Sequence, residues 1–200
     1  MKINIRKLSV GSAGLALITA AVVGINLYRH ANRILSAAVK EAKNDNCPLA
    51  LSLLWQTNSA YLNQADQLTS RYWRGVCNLK TERFSEASED FKFVTSNDTS
   101  VQFRDAEFLL GQAQYGLKDY RSAKNGFEKS AQLGYRIGMS LYQAADSYTQ
   151  LEQDTYAMKT FKQILELKGD EEMKEPALFR IAELYFERGE TMRDKKVLKV

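Results

Sequence analysis

Few residues of this 200-residue chain have the types and spacing that catalysis or metal binding requires. Its one histidine, His30, follows an uncharged stretch and has no second imidazole to share a metal with. Cys47 and Cys77 stand outside C-x-x-C spacing, which argues against a zinc knuckle or a thioredoxin-like redox pair. The densest acidic run, Asp170-Glu171-Glu172, lies ahead of a helical pattern, where carboxylates serve to complement the helix dipole. No glycine-rich phosphate loop, H-E-x-x-H pair or nucleophile elbow occurs. The expectation is a protein without catalytic residues, metal or cofactor, whose activity is binding.

The elements that would position a binding surface announce themselves through a repeated pair. A small residue is followed four places later by a bulky apolar one at Ala50/Leu54, Ala87/Phe91, Ala123/Phe127 and Ala157/Phe161, with a degraded copy at Asp194/Leu198. The copies lie 37, 36, 34 and 37 residues apart, a period that means a helical repeat array. Apolar residues recur at helical spacing inside each unit, as in Leu141, Ala144, Ala145 and Tyr148, so each half of a unit presents one apolar stripe. Breakers at 44–46, 80–82, 118–119, 153–154, 169–170 and 189–190 divide the units into helix pairs, and Pro48 and Pro176 suit first helical turns. Gly75, Gly111, Ala145 and Ala182 supply small residues where the second helix of each pair must approach the first.

Residues 104–134 carry Leu110-Gly111, Ala113, Leu117, Asp119-Tyr120, Ala123 and Phe127 in the order of a tetratricopeptide repeat (TPR), and the chain resembles that family. Departures are Asn78 and Gln114 at aromatic places, Asp194 at a small one, and a missing closing proline. The resemblance implies an all-α fold: an α-solenoid of about five helix-turn-helix units near 31–57, 68–101, 104–134, 138–168 and 175–200, within a repeat domain spanning 31–200. In that family the first helix of each unit lines a concave groove. Carried over in register, the lining is Tyr72, Phe108, Tyr142 and Phe179, then Val76, Gln112, Asp146 and Glu183, then Leu79, Tyr115, Thr149 and Phe186. Such a trough is aromatic, with acidic character toward its C-terminal end. It fits an apolar or amphipathic partner segment, helical or extended, with a basic residue near Asp146 and Glu183. The competing reading is that the aromatics pack against neighbouring helices. The repeat register also puts Cys47 at the start of one helix and Cys77 late in the next, so that a disulfide between them is conceivable in an oxidising compartment.

Ahead of the repeats, residues 8–28 hold no charge; at about 1.5 Å per residue they span about 31 Å, the thickness of a bilayer core. Lys2, Arg6 and Lys7 precede the run and Arg29, His30 and Arg33 follow it. The run outlasts the apolar core of a cleaved signal, although Thr19-Ala20-Ala21 and Val22-Val23-Gly24 resemble cleavage sites, so a transmembrane signal-anchor helix behind a short arm, 1–7, is the favoured reading. Ser12, Ala16, Ala20 and Gly24 share one face of it, either by chance in an alanine-rich span or as a packing face for a second transmembrane helix. Residues 1–33 carry five basic and no acidic residues, which leaves −1 of the net +4 for the rest of the chain. Nucleic acid is therefore excluded as a partner class. The expectation is a single-pass protein of a bacterial inner membrane with its repeats in the periplasm, an adaptor that binds a protein partner during assembly of an envelope complex. The alternative is a chaperone-like receptor, cytosol-facing or cleaved and soluble, that captures client segments. A non-catalytic subunit of an enzyme complex is a third class.

Overall fold

A computed structural model describes the backbone of residues 5–169 and 171–197 and the side chains of residues 17, 19–169, 171–187 and 189. Among these the chain is all-α: nine α-helices, two short 3-10 turns and no strand. It divides into two compact units, residues 1–77 and 78–200.

The first unit holds α1 (Ile5–Lys43), α2 (Cys47–Gln56), a 3-10 turn at Ser59–Tyr61, and all but the last turn of α3 (Gln64–Lys80). Pro48 sits in the first turn of α2, where its missing N–H leaves no helical bond unmade. One cluster joins Ala31, Leu35 and Ala38 of α1 to Leu54 and Leu62, and a second joins Ala42 to Cys47, Ala50, Leu51 and Cys77. The small alanines bring the paired helices close. A polar clasp supports them: Asn32 Nδ2 donates to Asp66 Oδ2 at 2.9 Å, and the Tyr28 hydroxyl donates to the same oxygen at 3.1 Å. Asn63 caps α3 by accepting from Asp66 N at 2.8 Å and donates through Nδ2 to Tyr28 at 3.2 Å.

No break separates the apolar run from the first repeat helix; α1 is one helix of 39 residues, because nothing between Gly24 and Asn44 interrupts an alanine-rich pattern. Among the described residues no helix is long and apolar enough to cross a membrane. Residues 8–16 and 18 of the expected span, including Ser12 and Ala16, lie outside those whose side chains are described, while Ala20 and Gly24 are exposed. The two cysteines do reach one cluster, but as buried thiols with no disulfide joining them.

The second unit begins in the last turn of α3 and continues through α4 (Phe84–Asn97), α5 (Ala106–Gly116), α6 (Tyr120–Gln132), α7 (Ile137–Gln150), α8 (Asp154–Glu166) and α9 (Lys174–Val197). From α4 onward each helix packs on its successor, and the small/bulky pairs form the seams. Ala87, Ala123 and Ala157 are fully buried, as are Phe91, Phe127 and Phe161. Gly111 shows how close the seam is: a Cβ added there would lie 2.8 Å from the Phe127 ring. Gly126 is nearly as tight, since its added Cβ would stand 3.2 Å from Gly111 Cα. Dispersion contacts of this density are what hold a thin, layered array together.

The turn inside each helix pair repeats as faithfully as the core. Asp45, Glu82, Lys118 and Glu152 adopt left-handed backbone with φ of 60°, 58°, 61° and 58°. The residue after each donates its N–H back to the preceding helix: Asn46 to Glu41 O, Arg83 to Asn78 O, Asp119 to Gln114 O and Gln153 to Tyr148 O, all at 2.8–2.9 Å. These are Schellman caps, a geometry that usually employs glycine. Here charged residues adopt it, at about 1 kcal/mol of steric cost each.

The fifth unit differs from expectation. No turn forms at Gly189-Glu190; α9 runs through it as one helix of 24 residues, so the second helix of this unit is absent among the described residues. Ala182, expected to receive that helix, is exposed, and Leu198 of the degraded pair lies outside the described residues. Glu152→Gly is expected to raise unfolding free energy by about 0.5–1 kcal/mol, and Glu152→Val to lower it by a similar amount, in urea denaturation.

Candidate functional site

In the second unit the first helices of successive pairs, α5, α7 and α9, are tied across one face by a chain of polar contacts. The Tyr115 hydroxyl on α5 donates to Asp146 Oδ2 on α7 at 2.5 Å. The other oxygen, Asp146 Oδ1, accepts from Arg180 Nη2 on α9 at 2.8 Å, and Arg180 Nη1 donates to Glu183 Oε2 at 2.8 Å. Asp146 and Glu183 are therefore both held by a guanidinium of the same chain. The expected opening for a partner's basic residue beside these carboxylates is already filled, which corrects that part of the sequence reading. Arg180 itself gave no signal in the repeat register, because it stands one residue beyond the lining place held by Phe179.

Burial, then the bond to Asp146 and its negative charge, push the Tyr115 hydroxyl above the ordinary tyrosine range. Burial likewise raises Tyr142. Burial works against the charge on Arg180, but its bond to Glu183 and the charge of Asp146 outweigh that and hold the guanidinium protonated. A second cluster forms where Tyr148 donates to Glu128 Oε1 at 2.8 Å and stacks on Tyr156; burial and that bond push Tyr148 up to about 12.

The four aromatics at one register place occupy different surroundings. Phe108 is buried, edge-on to Phe127 at 5.4 Å and against Tyr135 at 5.8 Å, so it belongs to the core and not to a groove lining. Tyr142 is half-buried, its ring edge-on to Phe161 at 5.3 Å. Phe179 is 64% exposed, and Phe186, two helical turns on, is 67% exposed. Tyr72, in the first unit, is half-buried and edge-on to Trp73 at 5.3 Å; Val76 beside it is also half-buried. Gln112, Leu79 and Thr149 are half-buried, and Thr149 Oγ1 returns its proton to Ala145 O. The packing reading is therefore right for Phe108, while Gln112, Tyr115, Tyr142, Asp146 and Thr149 remain on a partly open face.

The departures from the repeat pattern are absorbed locally. Asn78, at an aromatic place, is buried and reaches Asp90 Oδ2 at 3.5 Å; Gln114, at another, is buried with its Oε1 without a hydrogen bond. Glu171 pairs with Lys174 at 2.7 Å, and Asp170 lies outside the described residues. His30 is exposed.

Comparison with known proteins agrees with this architecture. Residues 139–167, which cover most of α7 and all of α8, match the family described as tetratricopeptide repeat. Among solved structures, one of a Podosopora anserina putative kinesin light chain with nearly identical TPR-like repeats is similar at a TM-score of 0.61 and 14% identity, over 86% of this chain and 93% of that one. A structure of MamA from AMB-1 is similar at a TM-score of 0.58 and 18% identity, over 82% of this chain and 97% of that one. A further MamA crystal structure reaches 0.57 at 11% identity, over 78% and 96% of the two chains. No curated protein matches the chain in sequence. The fold is thus TPR-like, and residues 139–167 match the tetratricopeptide repeat in sequence as well.

Because Tyr115, Tyr142 and Tyr148 all hold their protons more tightly when folded, the folded state binds more protons than the unfolded chain above the ordinary tyrosine range. The stability they contribute is complete below about pH 10, the unfolded value, and falls as pH rises toward their folded values. Phenolate absorbance should show these tyrosines titrating late in native protein, and Tyr115→Phe should remove one late-titrating group.

Proposed function

We propose that the protein is a membrane-anchored TPR adaptor that binds an apolar or amphipathic segment of a partner protein on the face formed by α5, α7 and α9. The observation that carries this reading is the braced face itself. Tyr115 and Tyr142 present aromatic surface while Asp146, Arg180 and Glu183 tie the three helices that bear it. Ordering costs that a loose surface would meet on binding are lowered when the lining is fixed beforehand. Since Asp146 and Glu183 are both hydrogen-bonded within the chain and share one guanidinium, the segment that fits beside them needs no basic residue there, and the aromatic rings supply the contact area.

Anchoring rests on the charge-free run 8–28, flanked by basic residues, and on the continuity of α1 from Ile5 to Lys43. A helix without a break would carry the first repeat directly on the membrane segment. The location that suits this arrangement is a bacterial inner membrane with the repeats on the periplasmic side, in service of an envelope complex. Binding, without catalysis, is the activity.

A photocrosslinking residue at Gln112 or Tyr142 is expected to capture one partner in cells, whereas the same residue at Asn125 or Lys159, exposed on the second helices, captures none. Gln112→Arg should lower capture about tenfold with little change in melting, a difference of about 1.4 kcal/mol in binding. Equal labelling from both sets of positions would refute the groove. Alkaline carbonate should leave the chain in the membrane pellet and protease should digest it in spheroplasts; release by carbonate would refute the anchor.

A further inference from the structure

In the first unit α1 leaves the fold at a defined level. Its apolar residues Leu17, Val22, Val23 and Ile25 are each at least half exposed, and the first buried residue of the helix among those described is Ala31. Between them Tyr28 closes the charge-free run 8–28, and its hydroxyl is held by Asp66 and Asn63 at the start of α3. Asn32, one turn further along α1, donates to the same oxygen of Asp66. The connection from α2 to α3 is thereby tied to the level of residues 28–32, and its Leu62 packs in the same cluster as Ala31. Tyr61 is 40% exposed in that connection, and Ala60 is exposed beside it. Charge is distributed unevenly over this unit. Residues 46–65, all of α2 and the connection, hold no charged residue, although 26% of the chain is charged, so no carboxylate of theirs faces outward. Arg29, His30 and Arg33 are exposed on α1, whereas the one acidic residue at this level, Asp66, is bonded twice within the unit. Glu41 and Asp45, the other acidic residues of the unit, stand at the far end of α1, about 20 Å from Tyr28 at about 1.5 Å per residue.

We infer that this end of the first repeat is seated in the headgroup layer of an anionic lipid bilayer, with Tyr28 and Tyr61 at the edge of the acyl chains and Arg29 and Arg33 on lipid phosphates. The inference rests on the anchor reading of residues 8–28, because that run sets the level of the bilayer surface. With the run in the hydrocarbon core, the headgroup layer, about 5–7 Å deep on each side, takes up the next turn of α1. That turn is the one to which the Tyr61 connection is tied. The chemistry of the surface matches the layer: tyrosine rings with an apolar body and a polar tip are favoured there, and guanidiniums are drawn to anionic lipid. The uncharged polar groups of Asn58, Ser59 and Gln64 can exchange hydrogen bonds with headgroups without a charge to desolvate. A partner protein reaching the same surface would first have to displace the lipid that the anchor brings to it.

Fluorescence quenching of the full chain in vesicles of phosphatidylcholine and phosphatidylglycerol tests this. A fluorophore on Ala60→Cys reports the α2–α3 connection, and one on Asn44→Cys, exposed in the turn beyond the far end of α1, is the reference; the two native cysteines are buried. Lipid carrying a nitroxide high on its acyl chain should quench the Ala60 position at least about threefold more than the Asn44 position, because the headgroup layer is far thinner than the stretch of α1 between them. The nitroxide carried on phosphatidylglycerol should quench the Ala60 position about twofold more than the same nitroxide on phosphatidylcholine, and Arg29→Gln/Arg33→Gln should abolish that preference while the chain stays in the membrane. Carbonate extraction of the same samples separates the two ways of failing. A chain that remains in the carbonate pellet but shows equal quenching at both positions, or no preference for the anionic lipid, refutes the seat alone. A chain that carbonate releases refutes the anchor, and the seat with it.

Discussion

Everything in the second unit depends on how closely a second helix can approach its first. At Gly111 there is no room for even one more carbon against the Phe127 ring, and Gly126 meets Gly111 across the same seam. The phenylalanine four residues past each small residue then fills the space toward the next helix, so one pair of residues sets both the spacing within a unit and the spacing between units. Such a seam resists change in either direction. A larger residue at the small place forces the helices apart, and a smaller one at the bulky place leaves a cavity, each at a cost of a few kcal/mol in a fold whose layers touch only their neighbours.

Close helices leave one face on which side chains from α5, α7 and α9 come within hydrogen-bonding distance, and there the chain uses polar contacts instead of apolar ones. Arg180 spans two carboxylates on different helices, and Tyr115 completes the line. A half-buried ion pair of this kind adds little to net stability, because desolvation offsets most of the attraction. Its effect is geometric. It holds Tyr142 and its neighbours at fixed separations and halves the negative charge of a surface on which two free carboxylates would attract any basic segment.

The register of the repeats was legible in the sequence because a close seam tolerates few residue types, and Ala87, Ala123 and Ala157 with their phenylalanines mark it plainly. The surroundings of the lining residues were not. Phe108 and Tyr142 occupy equivalent places, yet Tyr135, in the connection after α6, closes over Phe108 and sends it into the core. A repeat period says nothing about such connections, which vary in length from unit to unit. Arg180 escaped for a related reason: its role comes from the reach of a long side chain to a helix 34 residues earlier, and no spacing rule encodes that.

The two ends of the described structure show where local preference yields to packing. Asp45, Glu82, Lys118 and Glu152 each lie five residues before the small residue of a second helix, and each takes left-handed backbone despite a side chain that disfavours it. Gly189 lies five residues before Asp194, at the same register place, and is the residue best suited to such a turn. It nevertheless stays in the middle of α9. The difference lies in the helix that the turn would introduce. Each of the four charged residues leads into a helix whose alanine is buried in a seam, worth far more than the strain of one turn, whereas Asp194 offers a carboxylate where a seam requires a small apolar group. With no packing energy to be gained by turning, the flanking helix formers keep the chain helical through Gly189 at a cost of only about 1 kcal/mol. The turns of this array are therefore products of the seams they lead into, and where the sequence offers aspartate at the seam place the last helix runs on through Gly189.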